Sequence, residues 1–296
     1  MQYKINLREE RDFGQKINAV FTFLQQNFKP LFRSLLFIAG PTSLLGGIFM
    51  GLHQSRFMDF ALNENPSETI GNYNIFRDLF NPNYFLAILF LIISFILVFQ
   101  SVYGYLVAYL EDKNRPITTD MVWEHVKQKF FFSFFAIIVL GITMMLASLV
   151  FLIPGIYLAV AFQLALIIIA MEKIDVFELI SRCIYLIRGK WWSTFGLIFI
   201  ISMIQGMMGV VFNVPLYIIT FAKAFHVGEV NDSNNFFFII STVISTVGTV
   251  LLYSLSALAM AFQYFNLVER KEGVGLLEEV DKLGKSQPIN DNEGDF

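Results

Sequence analysis

The sequence has a single cysteine, Cys183, and only three histidines, His53, His125 and His226, in 296 residues. One cysteine excludes an intramolecular disulfide. The three histidines stand far apart, without the HExxH or similarly close spacing by which metal hydrolases hold their ion. Charge is scarce as well: 15% of the chain against about a quarter in ordinary globular domains. The net charge of -3 comes with no basic stripe or basic arm, which excludes a nucleic-acid partner. No GxSxG elbow, phosphate-cradling glycine loop or dinucleotide fingerprint occurs, so the common nucleophile and nucleotide chemistries lack their residues. The sequence therefore predicts no enzyme activity, no catalytic residues, no cofactor and no metal.

What the chain has instead is apolar surface. It is 56% hydrophobic, with 34 phenylalanines, and its mean hydropathy is +0.61. A soluble fold of this length cannot hide so much, so lipid must serve as solvent for part of it. Six apolar runs near twenty residues fall at about 31–52, 84–109, 130–153, 155–171, 191–220 and 236–267. None carries Asp, Glu or Lys in its interior, and Arg33 sits inside one edge. Helices follow, because hydrocarbon offers no water to unpaired backbone groups and a closed barrel would need alternating segments of about ten residues. The first apolar run lacks a small-residue cleavage site, so a retained anchor is expected rather than a cleaved signal peptide.

Lysine and arginine are sorted between the connections. Eighteen of the 21 fall on alternate connections that include both termini, leaving Arg56, Arg77 and Lys223 for the other side. By the positive-inside rule both termini are cytoplasmic. On that side four stretches have helical apolar periodicity. Ile17, Val20, Phe21, Leu24 and Phe28 oppose Gln15, Lys16, Gln25 and Gln26. Val122, Val126 and Phe130 oppose Asp120, Glu124, Lys127 and Gln128. Val176, Phe177, Ile180, Ile184 and Ile187 oppose Glu178, Ser181, Arg182 and Arg188. Leu276, Leu277, Val280 and Leu283 alternate with acids and Lys282. In the third, Asp175 with Glu178 predicts a capping box. Such helices suit the membrane interface, with Trp191 and Trp192 at headgroup depth.

A shift of 61 residues superposes Glu111 on Glu172, Lys129 on Lys190, Phe130-Phe131 on Trp191-Trp192 and VFLIP (150–154) on VFNVP (211–215). The predicted fold is all-α: a polytopic membrane helix bundle of six transmembrane helices. They form three parallel repeats, each a cytoplasmic amphipathic helix plus a two-span hairpin. Residues 1–284 make a single integral membrane domain, with units near 12–110, 111–171 and 172–268 and an amphipathic helix near 274–284. Residues 285–296 read as a disordered acidic tail.

Within the spans lie four glutamines, Gln100, Gln163, Gln205 and Gln263. A buried amide is costly in lipid unless paired, so these join helices across the bundle or line a midplane cavity. Small residues from Ser241 to Ala259 predict a central last span, Gly47 and Gly51 form a GxxxG, and Pro154-Gly155 reads as a tight hairpin turn. Pro41 and Pro215 are expected to kink or interrupt their spans. The thiol of Cys183, among apolar neighbours, is expected to be inert.

The stretch LIPGIYLAVAFQLALIIIAMEKIDVFELISRCIYLIRGKWWSTFG (152–196) resembles a bacterial integral membrane superfamily. It includes the membrane domain of some glycerophosphodiester phosphodiesterases and YciC-like proteins. Pro154, Gly155, Glu172, Ser181, Gly189 and Trp192 stand at its pattern positions. No phosphodiesterase barrel lies in these residues, so the resemblance implies fold and not activity. The expected protein is a multi-pass component of the bacterial inner membrane, a non-enzymatic accessory or scaffold subunit. The partners expected are membrane lipids and another membrane protein, met through the amphipathic helices. The alternative is a carrier of lipids or small amphiphiles with a glutamine-lined cavity.

Overall fold

The structure is a computed structural model and describes residues 5–63, 81–111, 116–225 and 232–285. The acidic tail expected at 285–296 lies outside these residues save for its first position, as do Arg77, His226 and the rest of 64–80, 112–115 and 226–231. Among the described residues the chain is all-helical, with no strand. Ten α-helices follow in order: α1 (Phe13–Ile38), α2 (Gly40–Asn63), α3 (Pro82–Glu111), α4 (Thr119–Val150) and α5 (Leu152–Ala161); then α6 (Ala165–Met171), α7 (Val176–Ile187), α8 (Trp191–Ala224), α9 (Asp232–Glu272) and α10 (Val274–Lys285). A short 3-10 turn, Phe162–Leu164, separates α5 from α6. Five helical stretches are long and apolar enough to cross a membrane, with α5 through α6 taken as one. Counting the pair α1 and α2, bent by 55°, makes six.

The ends of these helices follow from local chemistry. The Asp12 carboxylate accepts from the Gln15 amide while the Gln15 side chain accepts from the Asp12 amide, a capping box that starts α1. The predicted box of Asp175 and Glu178 starts α7 in the same way. The first amphipathic stretch and the first half of its apolar run form one helix, and the break comes at Ala39, two residues before Pro41. Proline cannot donate to the preceding turn, so the ladder is interrupted there and the axis turns. Pro215, by contrast, is accommodated inside α8.

Reversal between α4 and α5 happens at Phe151, in extended conformation at φ -151 and ψ 138, and not at Pro154-Gly155. Pro154 sits in the first turn of α5, where a missing N–H leaves no bond unmade. Gly155 is what lets this hairpin close. A Cβ there would stand 2.0 Å from the Ser148 hydroxyl on α4.

α9 is the central element. It packs on α1, α2, α3, α6, α7 and α8. Gly47 and Gly51 of α2 meet its backbone directly, where added Cβ atoms would lie 3.0 Å from the Val243 Cα and 3.1 Å from the Ile239 Cα. One continuous apolar core joins α1, α3, α6, α7 and α9. α7 belongs to that core, with Leu179, Cys183, Leu186 and Ile187 buried against the bundle. Its inward face is thus rotated from the predicted stripe: Phe177 points outward, and Ile180 and Ile184 are half-buried.

Candidate functional site

Polar side chains gather around the last turns of α9, where the end of α6, α7 and the starts of α8 and α1 converge. The first group centres on Lys16, buried at 2% exposure although its periodicity put it on the polar face of α1. Its Nζ donates to Gln263 Oε1 at 2.7 Å and to Ser193 Oγ at 3.2 Å, and lies 5.7 Å from the Phe13 ring. The Gln263 amide donates in turn to Thr194 Oγ1 at 2.8 Å. Lys16 and Gln263 therefore tie α1, α8 and α9 into one joint. Nearby, the Arg11 backbone N–H donates to Asn266 Oδ1 at 2.8 Å, and the Arg11 guanidinium lies 5.5 Å from the Phe262 ring.

The second group is ionic. Glu172, immediately after α6, accepts from Arg182 Nε at 2.9 Å and Nη2 at 2.9 Å, and from the Tyr264 hydroxyl at 2.8 Å. Arg182 also pairs with Glu272, Nη2 to Oε2 at 3.1 Å. One guanidinium thus bridges carboxylates at the ends of α6 and α9 from its place on α7. Hydrogen bonding to Glu272 raises the Arg182 pKa, with Glu172 adding to the rise and burial opposing it. Lys129 of α4 reaches the Glu172 carbonyl at 3.5 Å, and Lys271 donates to the Tyr185 carbonyl while lying 4.2 Å from that ring. Glu269 accepts from the Gly275 and Leu276 amides at 2.7 and 3.1 Å and so starts α10.

These groups fasten helices. The carboxylates are engaged by Arg182, and the one cysteine is sealed: burial, reinforced by the Glu172 charge, pushes the Cys183 thiol up to about 12. Among the described residues no three His, Cys, Asp or Glu side chains lie close enough together to hold a metal ion.

No protein-family model, curated protein or solved structure matches the chain.

The four glutamines are spread through the bundle. Gln100 on α3 donates to Ser133 of α4 at 2.7 Å. Gln205 on α8 donates to the Leu252 carbonyl of α9 at 2.7 Å and accepts from Ser256 at 2.7 Å. Gln263 serves the Lys16 joint. Gln163, in the 3-10 turn, is exposed at the edge of a cleft of about 180 Å³ shared with Phe95, Gly141 and Met144.

The six residues of the PGIY-to-WW stretch also scatter. Pro154 and Gly155 lie in the first turns of α5, just after the reversal at Phe151, and Glu172 anchors the ionic group. Ser181 is exposed on α7. Gly189, at φ +81, supplies the left-handed residue that ends α7 and turns the chain into α8. Trp192 is exposed, whereas Trp191 packs inward, stacked on Tyr157 with its Nε1 donating to the Tyr157 carbonyl at 3.3 Å. Arg182, Glu272, Tyr264 and Lys16 were not singled out from the sequence as a site. Only the charge of Arg182 beside an apolar stripe hinted at them, because partners up to 247 positions away close these groups.

Proposed function

We propose that this chain is a multi-pass protein of a bacterial inner membrane, with both termini cytoplasmic, acting as a non-enzymatic accessory or scaffold subunit. Six spans in three parallel units of amphipathic segment plus hairpin describe it best: α1 with α2 and α3, α4 with α5 and α6, and α7 with α8 and α9. The confinement of Lys and Arg to alternate connections supports the orientation. The 61-residue shift supports the repeat in helix order rather than in detail, since Pro154 opens a helix and Pro215 lies inside one. The likeness of 152–196 to the phosphodiesterase-associated membrane domain and YciC-like proteins supports the same architecture.

The observation that carries the scaffold reading is the Glu172–Arg182–Glu272 bridge. It holds α7 rigidly on the bundle while Phe177, at 81% exposure, and Tyr185, at 47%, stand on its outer face around a shallow cleft of about 510 Å³. A short helix fixed by part-buried ions and presenting aromatics suits docking of another membrane protein. A photo-crosslinking residue at Phe177 should trap one distinct membrane polypeptide in cells, and the same probe at Met207 should not. Adducts of the protein with itself or with lipid alone, from both positions, would count against it. The carrier reading is weaker, because Gln100, Gln205 and Gln263 each bond to a different neighbour instead of facing one cavity.

A further inference from the structure

A cleft of about 1020 Å³ lies apart from the ionic group, between the second half of α1 and the start of α4. That is at the upper limit of the range, about 300–1,000 Å³, of small-molecule pockets. Lys29, Arg33 and Phe37 line one wall at four-residue spacing, hence on one face of α1. That wall continues past the 55° bend to Pro41. Opposite stand Ile117, Trp123 and the first turn of α4, which carries the carboxylate of Asp120. The cleft thus has a charged rim on one side and an apolar, aromatic floor.

The two cations are not used by the fold. Among the described residues neither Lys29 nor Arg33 makes a hydrogen bond or an ion pair. The Arg33 guanidinium rests 5.8 Å from the Phe37 ring. Both side chains are exposed, on the basic side of the chain. A soluble anion would satisfy the cations but leave Phe37, Pro41 and Trp123 wet. A neutral amphiphile would fill the floor but leave two charges against one carboxylate. An anionic phospholipid answers both demands, since basic pockets between membrane helices on the cytoplasmic side receive such headgroups and Trp prefers that depth.

We infer that this cleft binds an anionic phospholipid of the cytoplasmic leaflet, its phosphodiester on Lys29 and Arg33 and its acyl chains along Phe37, Ile38 and Trp123. The site explains why an apolar run admits one arginine at its edge. It goes beyond the scaffold reading but rests on the proposed membrane placement, whose failure would show separately as loss of the protein from the nanodisc fraction.

The test uses the full chain in phosphatidylcholine nanodiscs doped with brominated phosphatidylglycerol or, in parallel, brominated phosphatidylcholine. Trp123 fluorescence is isolated as the difference between wild type and Trp123→Phe. Brominated phosphatidylglycerol should quench it on the order of threefold more strongly than brominated phosphatidylcholine. The charge reversal Lys29→Glu/Arg33→Glu, at exposed positions, should abolish the difference, and Arg188→Glu, elsewhere on the same side, should keep it. Native mass spectrometry should show retained phosphatidylglycerol in wild type and Arg188→Glu and none in the double variant. Equal quenching by the two lipids would overturn the inference. So would a preference that survives the double reversal, one that also vanishes in Arg188→Glu, or relief of quenching by inorganic phosphate.

Discussion

The last turns of α9 and the middle of α8 are both apolar in sequence and belong to two helices that pack together, yet their surroundings are opposite. Every residue from 257 to 267 is buried, with Gln263 and Asn266 bonded to other elements. On α8, Met203, Met207 and Val211 fall at four-residue spacing and are open, Met207 at 73% exposure. Hydropathy cannot separate the two, because lipid is as apolar as a leucine core. Small residues and bonded polar groups separate them, since these mark where helix meets helix.

Five outcomes would sharpen or break this contrast. The largest concerns Cys183, on the buried face of α7 with a thiol pushed up to about 12. Against the ordinary value near 9.0 this lowers the thiolate fraction about a thousandfold at neutral pH. Maleimide should therefore modify the native protein at least ~100-fold more slowly than the denatured chain, as read by mass shift over time; equal rates would mean α7 does not pack as described. Next comes Arg182→Ala, which strands Glu172 and Glu272 together. A loss of about 2 kcal/mol is expected for these part-buried, charge-assisted hydrogen bonds, read from thermal unfolding in detergent. Gly51→Leu should match it at about 2 kcal/mol by forcing α2 off α9, with the same readout. Gln205→Leu removes one amide link between α8 and α9 and should cost about 0.6–1 kcal/mol, whereas Met207→Leu on the open face should stay within about 0.5 kcal/mol. If Met207→Leu equalled Arg182→Ala, the division of the bundle into a fastened end and an open face would fail.

Much of this architecture was legible because lipid simplifies the code. Apolar runs of fixed length, the Asp175–Glu178 box, the small-residue face of the last span and the reach of Gly47 and Gly51 are local signals with one physical meaning each. Pro41 announced an interruption, although not that the amphipathic segment before it would run unbroken into the apolar one. What stayed hidden was long-range. The burial of Lys16 depends on Gln263 and Ser193 arriving from distant helices, and periodicity alone gave its side chain to water. Arg182 read as one more polar residue on α7 because nothing near it reveals Glu272, 90 positions on. The Pro154 reversal was displaced to Phe151 because proline is as acceptable in a first helical turn as in a loop.

The proposal at the centre of this account is that one end of the bundle, where α7 sits and charge collects, faces the cytoplasm while the apolar helices cross the bilayer. A membrane-impermeant maleimide applied to single-cysteine variants in a Cys183→Ser background tests it directly. Cysteines placed at Glu124 and Arg188 should be protected in intact cells and labelled together in inverted vesicles, while one at Phe225 shows the reverse. Labelling of 124 and 188 from opposite faces would contradict the account.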